Sequence, residues 1–371
     1  MVTGMDVPCF NRSSILLKIM TVLFHLGHPA HFHLFKNIIA KLEEEDYQTL
    51  ILIKEKDVLK SLLNHTGISY QNILPEGKST GKIGMVTDLI KRGRRIINYC
   101  RKYKPDLLIG TSADISYVGK YLNIPAVNVQ EDDASVIPLH AWISYPWATD
   151  ILSPTSCDNG RWDDKSTKYE GYHELAYLHP DHFKPDKNIV KKYTDPDQPY
   201  FLLRFASLNA HHDDGVRGLH DELAHHLVNT IKPYGQIIIT SERELAVDLE
   251  PYRLAIDPID IHHLLAFAKV VIGDSQTMSA EAGVLGTPYI RYNDFVGKIG
   301  YLKELEEVYQ LGFGIIPDHP NQLLVKAKEL ASGGEISETF KKRREQMLSE
   351  KINVADFIYD YIINTLQKQI H

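Results

Sequence analysis

Residues 270–288 read VVIGDSQTMSAEAGVLGTP, and the turn inside them decides how the rest of the chain is read. A short apolar strand ends at Gly273. A helix begins within a few residues, with Asp274, Ser275 or Thr277 available to cap it. Residues 107–125, LLIGTSADISYVGKYLNIP, repeat the order. Gly110 ends the strand, Ser112 stands where Ser275 does, Leu122 where Leu285 does, and proline follows the glycine by 15 positions in both, at Pro125 and Pro288. Strand, polar turn, helix and X-Pro strand start, twice in one chain, indicate two related halves.

The same alternation extends outward from both turns. In the first half, strands are expected at 19–26, 49–53, 106–109 and 126–130. Helices are expected at 57–63, 85–99 and 116–122. A further helix follows Gly27-His28-Pro29, with Phe32, Phe35, Ile38, Ile39 and Leu42 on one face. Residues 131–198 are irregular, and the prolines at 180, 185, 196 and 199 mark the boundary. Strands then resume at 200–205, 236–240, 270–272 and 289–291, with helices at 219–231, 261–267, 278–285 and 302–311, and three helical stretches close the chain. Short apolar strands alternating with helices mean parallel sheets covered on both faces. The expected fold is therefore α/β, with two doubly wound Rossmann-like domains facing a cleft. Residues 1–18 form an extension, 19–185 the first domain, 186–354 the second, and 355–371 a C-terminal helix able to cross back to the first domain.

Composition limits the function. The 371 residues carry 41 Lys and Arg against 48 Asp and Glu, for a net charge of −7, which argues against a nucleic-acid binder. Three scattered cysteines, at 9, 100 and 157, with no C-x-x-C, fit neither a disulfide framework nor a cysteine zinc site and suit a cytoplasmic chain. No run approaches a transmembrane span. The dinucleotide G-x-G-x-x-G and the P-loop pattern are absent, so NAD and ATP lack motif support.

In doubly wound sheets ligands bind at the carboxyl ends of the strands, so chemistry is sought in the strand-to-helix turns. The first amides of the helix after Gly273 form an anion site. There Asp274, Ser275, Gln276 and Thr277 are candidate ligand residues, with capping alone the alternative for Ser275 and Thr277. Glu281 lies on or beside the inward stripe of that helix and needs a partner, either sugar hydroxyls or a structural ion pair. The turn after residue 205 offers Arg204, Asn209, His211, His212 and Asp213, which suits a diphosphate or a proton transfer, or else a solvated loop. The turn 25–33 holds four histidines but no carboxylate or cysteine, so no metal site is expected. Gly27 permits close backbone approach there, His28 is a substrate contact, and His31 is the candidate base. His31 and His33, two positions apart, do not share a helical face, and His31 is the one expected in the cleft. Glu131 and Glu174 are weaker candidates, each also readable as a surface residue. Lys91, Arg92, Arg94, Arg95, Arg101, Lys102 and Lys104 make a basic run over 91–104, a solvated face or a peripheral contact with anionic lipid.

The segments FHLGHPAHFHLFKNII, GYHELAYLHP, RFASLNAHHD and GDSQTMSAEAGVLGTP resemble those of the family catalogued as domain of unknown function 354. The similarity runs from residue 20 to the last helices. That family looks related to GT-B-fold enzymes, the UDP-N-acetylglucosamine 2-epimerases and nucleotide-sugar glycosyltransferases. By that resemblance Ser275, Gln276 and Thr277 take phosphate and Glu281 the ribose. The epimerases carry Gly-Asp where this chain has Gly110-Thr111, and His-Val-Glu where it has Asn128-Val129-Gln130, with Glu131 one position on.

The resemblance implies a nucleotide-sugar enzyme that uses no cofactor, with a nucleotide-sugar, UDP-linked, as substrate. The leading expectation is a glycosyltransferase of surface-polysaccharide or glycan assembly acting on a glycan or lipid-linked acceptor. The alternatives are a nucleotide-sugar 2-epimerase or hydrolysing relative, and a binding protein without turnover.

Overall fold

The computed structural model describes residues 19–54, 58–75, 81–206, 217–334 and 336–369. Two parallel sheets organise the chain. The first contains β1 (Thr21–Leu26), β2 (Gln48–Ile53), β3 (Gln71–Asn72), β4 (Leu107–Gly110), β5 (Ala126–Val129), β6 (Asp150–Pro154) and β7 (Ser166–Tyr169), in spatial order β3-β2-β1-β4-β5-β6-β7. The second contains β8 (Tyr200–Phe205), β9 (Gln236–Ser241), β10 (Val270–Gly273), β11 (Tyr289–Tyr292) and β12 (Gly312–Ile315), in order β12-β11-β10-β8-β9. Both are doubly wound, as the alternation of elements predicts.

Each sheet reverses its strand order once, between β1 and β4 and between β8 and β10. The repeated glycines stand at those two places. A Cβ on Gly110 would lie 2.6 Å from the carbonyl oxygen of His25, and one on Gly273 would lie 2.4 Å from that of Arg204. No side chain fits either gap, so glycine lets the chain leave the sheet beside the neighbouring strand. The serines two residues on cap the helices that follow. Ser112 accepts from the Asp114 amide at 3.3 Å and Ser275 from the Met278 amide at 3.4 Å. Of the three candidate caps after Gly273, Ser275 is the one used.

The stretch 131–198 is more regular than its sequence suggests, because it supplies β6 and β7. Their segments, DILSP and STKY, are short, and one ends in proline while the other is mostly polar, which hides the strand period. β12, GFGI, is masked by its glycines; a Cβ on Gly312 would meet the ring of Tyr289 at 2.2 Å. The helix expected at 302–311 is a short turn at Gly300–Lys303 followed by a π-turn at Glu304–Val308. That turn brings Glu304 within 2.8 Å of Lys351 and Glu306 within 2.9 Å of the fully buried Arg291.

The last helix, Val354–Gln367, returns to the first half. It packs on the helix Pro29–Glu44, buries Ile358, Ile362 and Leu366, and is tied down by Lys41 to Asp356 at 3.0 Å and by the Tyr361 hydroxyl to Asp150 at 2.7 Å. Each such aliphatic contributes about 1.5–3 kcal/mol relative to exposure. Among the described residues, no helix is long and apolar enough to cross a membrane.

Candidate functional site

A cavity of about 760 Å³ lies between the carboxyl ends of the two sheets and is lined from both halves. Its second-half wall is the start of the helix Gln276–Leu285. Ser275, Gln276 and Thr277 border the cavity there, and Arg204 borders it from the end of β8. The Arg204 guanidinium hydrogen-bonds to Glu242, just past β9, while its buried Nε–H has no partner among the described residues. A cation with an unused donor beside a helix N-terminus is an anion-binding arrangement.

Asp274 and Glu281 also border the cavity, but both are engaged. Asp274 is buried, and its carboxylate accepts from the amides of Ala206 at 2.6 Å and Leu219 at 3.3 Å. Burial raises its pKa to about 6. The sequence reading placed it on the ligand; the geometry makes it an anchor for the chain on either side of 207–216. Oε1 of Glu281 accepts from the Tyr177 hydroxyl at 2.9 Å and faces His262 Nε2 at 3.0 Å. The structural pairing is thus present, and it uses one of the two carboxylate oxygens.

The first-half wall is the start of the helix Pro29–Glu44. His28 caps that helix, its Nδ1 accepting from the Ala30 amide at 3.2 Å. His31 Nδ1 accepts from the Gly27 amide at 3.1 Å, and Thr111 Oγ1 lies 2.8 and 2.9 Å from its two ring nitrogens. An amide donating to Nδ1 places the proton of a neutral imidazole on Nε2, and in His31 that nitrogen lies within hydrogen-bond distance of Thr111 Oγ1. His33 borders the cavity as well, contrary to the expectation that His31 alone would, because the cavity wraps around the first helical turn. Its ring meets His262 edge-on at 4.7 Å, and burial, then the neighbouring His262, hold its pKa well below the ordinary value. Thr111 and Gln130 border the cavity side by side, and the Gln130 amide donates to the Thr111 carbonyl at 2.8 Å.

Between the two walls lie Glu131, His173 and Glu174. Glu131 Oε2 accepts from the His173 amide at 3.3 Å and lies 3.4 Å from its Nδ1. Glu174 is 1% exposed, and neither carboxyl oxygen has a hydrogen-bond partner among the described residues. Burial, with Glu131 next in effect, pushes its pKa well above the usual carboxylate range. A lone buried carboxyl of this kind favours its protonated form. Glu174 therefore carries more chemistry than its sequence context suggested.

Of the residues singled out in the sequence, the cavity brings together His28, His31, Glu131, Glu174, Arg204 and 274–277 with Glu281. Gly27 reaches the site through its amide on His31. Asn209 and His212 lie outside the described residues. Sequence reasoning missed Glu242, His262, Tyr177 and His173, which act as partners of named residues; Tyr177 and His173 sit inside the quoted GYHELAYLHP. No group of three or more metal-ligating side chains converges anywhere among the described residues. Cys100 and Cys157 are buried and free.

The architecture is shared with solved structures. The S. aureus MnaA-UDP co-structure superposes with a TM-score of 0.66 at 14% identity, covering 95% of this chain and 97% of that one. The UDP-GlcNAc 2-epimerase of Methanocaldococcus jannaschii gives 0.61 at 15% identity over 85% and 93%. CalG4, the calicheamicin glycosyltransferase, gives 0.58 at 13% identity over 95% and 99%. At these identities the likeness establishes the fold, which is GT-B. No curated protein matches the chain in sequence. Residues 20–328, however, match the family described as "Protein of unknown function (DUF354)", and the chain belongs to that family.

Proposed function

We propose that the chain is a glycosyltransferase that holds a UDP-sugar in the cleft between its two sheets. The observation that carries this reading is the placement of Arg204, with an unused buried donor, beside the start of the helix Gln276–Leu285, across the cavity from a wall of proton-handling groups. The diphosphate sits on Arg204 and the amides and hydroxyls of 275–277. The second oxygen of Glu281, Oε2, takes the ribose hydroxyls. His28 and His31 border the space for the acceptor or the sugar, and Glu131 takes the proton of the attacking hydroxyl. Loss of the acceptor proton as the glycosidic bond forms is general-base work. One solved structure of the same fold holds UDP and another is a glycosyltransferase; these, and a cavity of about 760 Å³ with space for donor and acceptor together, support the reading.

A second reading has its own support. Glu174 and Glu131 are two carboxyls in one cleft, one of them pushed toward its protonated form. Groups of that kind also serve elimination and re-addition at a sugar carbon, as a 2-epimerase requires. The test is incubation with UDP-sugars, with and without glycan or lipid-linked acceptors. Transfer with stoichiometric UDP supports the transferase. Epimerised sugar or UDP released without acceptor supports the second reading. UDP binding with no turnover under any condition leaves only a binding protein.

A further inference from the structure

Apolar side chains left in solvent are unevenly spread over the molecule. Thirteen large hydrophobic residues are exposed among the described residues, and seven of them fall on one face of the first half. That face is built by three consecutive helices, Gly81–Tyr103, Ala113–Leu122 and Pro138–Ser144, with the turn after the last. The helices are bonded to one another: the Tyr117 hydroxyl donates to the Leu89 carbonyl at 3.2 Å, and Ser116 and Ser144 share a hydrogen bond of 2.9 Å. The densest part is the third helix and its turn, where Leu139 is 63% exposed, Trp142 58% and Trp147 48%, with Ile143 between them.

Cations border this apolar strip. The Arg161 guanidinium stacks 3.6 Å from the centre of the Trp142 ring and 4.4 Å from that of Trp162. Lys165 sits on the carbonyls of Tyr145 and Pro146 at 3.0 and 3.1 Å. At the other end, Arg101 lies over the exposed ring of Tyr121. Beyond it the helix Gly81–Tyr103 exposes Lys91, Arg94 and Lys102, and Lys104 is exposed just past its end, while Asp88, the single acid in 81–104, is buried. A solvated basic helix accounts for the cations but leaves Leu139, Trp142 and Trp147 unexplained. Tryptophan beside cations at the edge of an apolar strip is the composition of a membrane–water interface, and the charge sign matches anionic lipid.

We infer that this face docks the chain on an anionic bilayer surface, with Leu139, Trp142 and Trp147 entering the headgroup layer and the cations of the helix Gly81–Tyr103 meeting lipid phosphates. The inference stands apart from the choice of reaction.

Co-sedimentation of the full chain with phosphatidylcholine vesicles, with and without phosphatidylglycerol, tests it. Binding is expected on the phosphatidylglycerol vesicles and weakens in high salt. Replacing Arg94, Arg101 and Lys102 with Gln lowers the partition coefficient by about fivefold per cation. Trp142→Glu with Trp147→Glu lowers it by roughly tenfold or more, since both indoles leave the interface. All five side chains are on the surface, and melting temperature confirms that the variants fold. Absence of binding to phosphatidylglycerol vesicles, or binding unchanged in both variants, overturns the inference. So does a light-scattering dimer that Trp142→Glu converts to monomer, which would assign the face to a second copy of the chain.

Discussion

The Tyr177 hydroxyl donates to Glu281 Oε1 across the cleft at 2.9 Å, and His262 Nε2 stands 3.0 Å from the same oxygen. One carboxylate oxygen therefore joins the halves, and the proposed ribose contact falls to the other. Glu281→Ala is expected to weaken UDP binding by about ten- to a hundredfold, the equivalent of a charged hydrogen bond, and also to lower the melting temperature. Glu281→Gln keeps the side-chain volume and an acceptor for Tyr177, so it should spare much of the stability while still weakening UDP. Calorimetry showing unchanged UDP affinity in folded Glu281→Ala would end the ribose assignment.

Arg204 and Glu242 form a pair that a diphosphate must share or break. Arg204→Ala should cost about ten- to a hundredfold in UDP affinity. Glu242→Gln should tighten UDP binding, because the guanidinium loses its competing anion. A loss below about twofold in Arg204→Ala, or weaker binding in Glu242→Gln, removes Arg204 from the phosphate site.

The proton acceptor is tested by turnover at saturating donor. Glu131→Gln should lower the rate by about 10²–10⁴ with donor affinity nearly intact. His31→Ala should raise the acceptor KM more than it lowers kcat, since its Nδ1 is held by the Gly27 amide. The opposite split would mean that the imidazole leaves Gly27 and acts as the base. His33→Ala should chiefly affect stability, because that ring is buried against His262 and Tyr177. His212→Ala belongs in the same series: a comparable loss confined to that variant would move the base to the second half.

Stability should fall on mild acidification through His25. This residue is buried in β1, neither ring nitrogen has a partner among the described residues, and burial lowers its pKa from 6.5 to about 4. The folded state resists the proton that the unfolded chain accepts. Its contribution is full above pH 6.5 and lost as the pH falls toward 4, about 3 kcal/mol at 1.36 kcal/mol per unit. Melting curves of His25→Leu should show a flatter limb across that window. A slope equal to the parent's would assign the acid sensitivity elsewhere.

Glu174 works in the opposite direction. Its raised pKa means that its contribution is full below the ordinary carboxylate range and is lost as the pH rises through the folded value. Glu174→Gln, always neutral, should melt higher than the parent at alkaline pH and gain little in acid. If the second reading of the reaction holds, the same variant loses about 10²–10⁴ in acceptor-free UDP release. In the transferase reading the transfer rate changes little.

Much of this was legible in the sequence. The glycines at 110 and 273 and the serines two residues on mark the two places where strand order reverses, because those positions have steric and capping duties that few residues can fill. The cavity-bordering positions 274–277 followed from the same turn. What stayed hidden depended on contacts distant in sequence. Asp274 is a ligand candidate in the sequence, and only the fold shows that its carboxylate also accepts from the Ala206 and Leu219 amides. Glu174 reads as one acid among many until its burial without a partner is known. His31 is a candidate base in the sequence, and only the fold shows the Gly27 amide on its Nδ1.

The chain passes between its two halves twice, and the passages are stitched together. The Ile352 amide donates to the Glu170 carbonyl at 2.8 Å, Lys351 reaches Glu170 at 3.1 Å and Glu304 at 2.8 Å, and Gly171 leaves room for Val354. Two passages pinned to each other carry load together: a force that pries the halves apart must strain both at once, along with the apolar core that Tyr172 and Leu175 of the first half share with Tyr301 and Leu302 of the second. The floor of the cleft is therefore a braced seam rather than a pair of loose linkers.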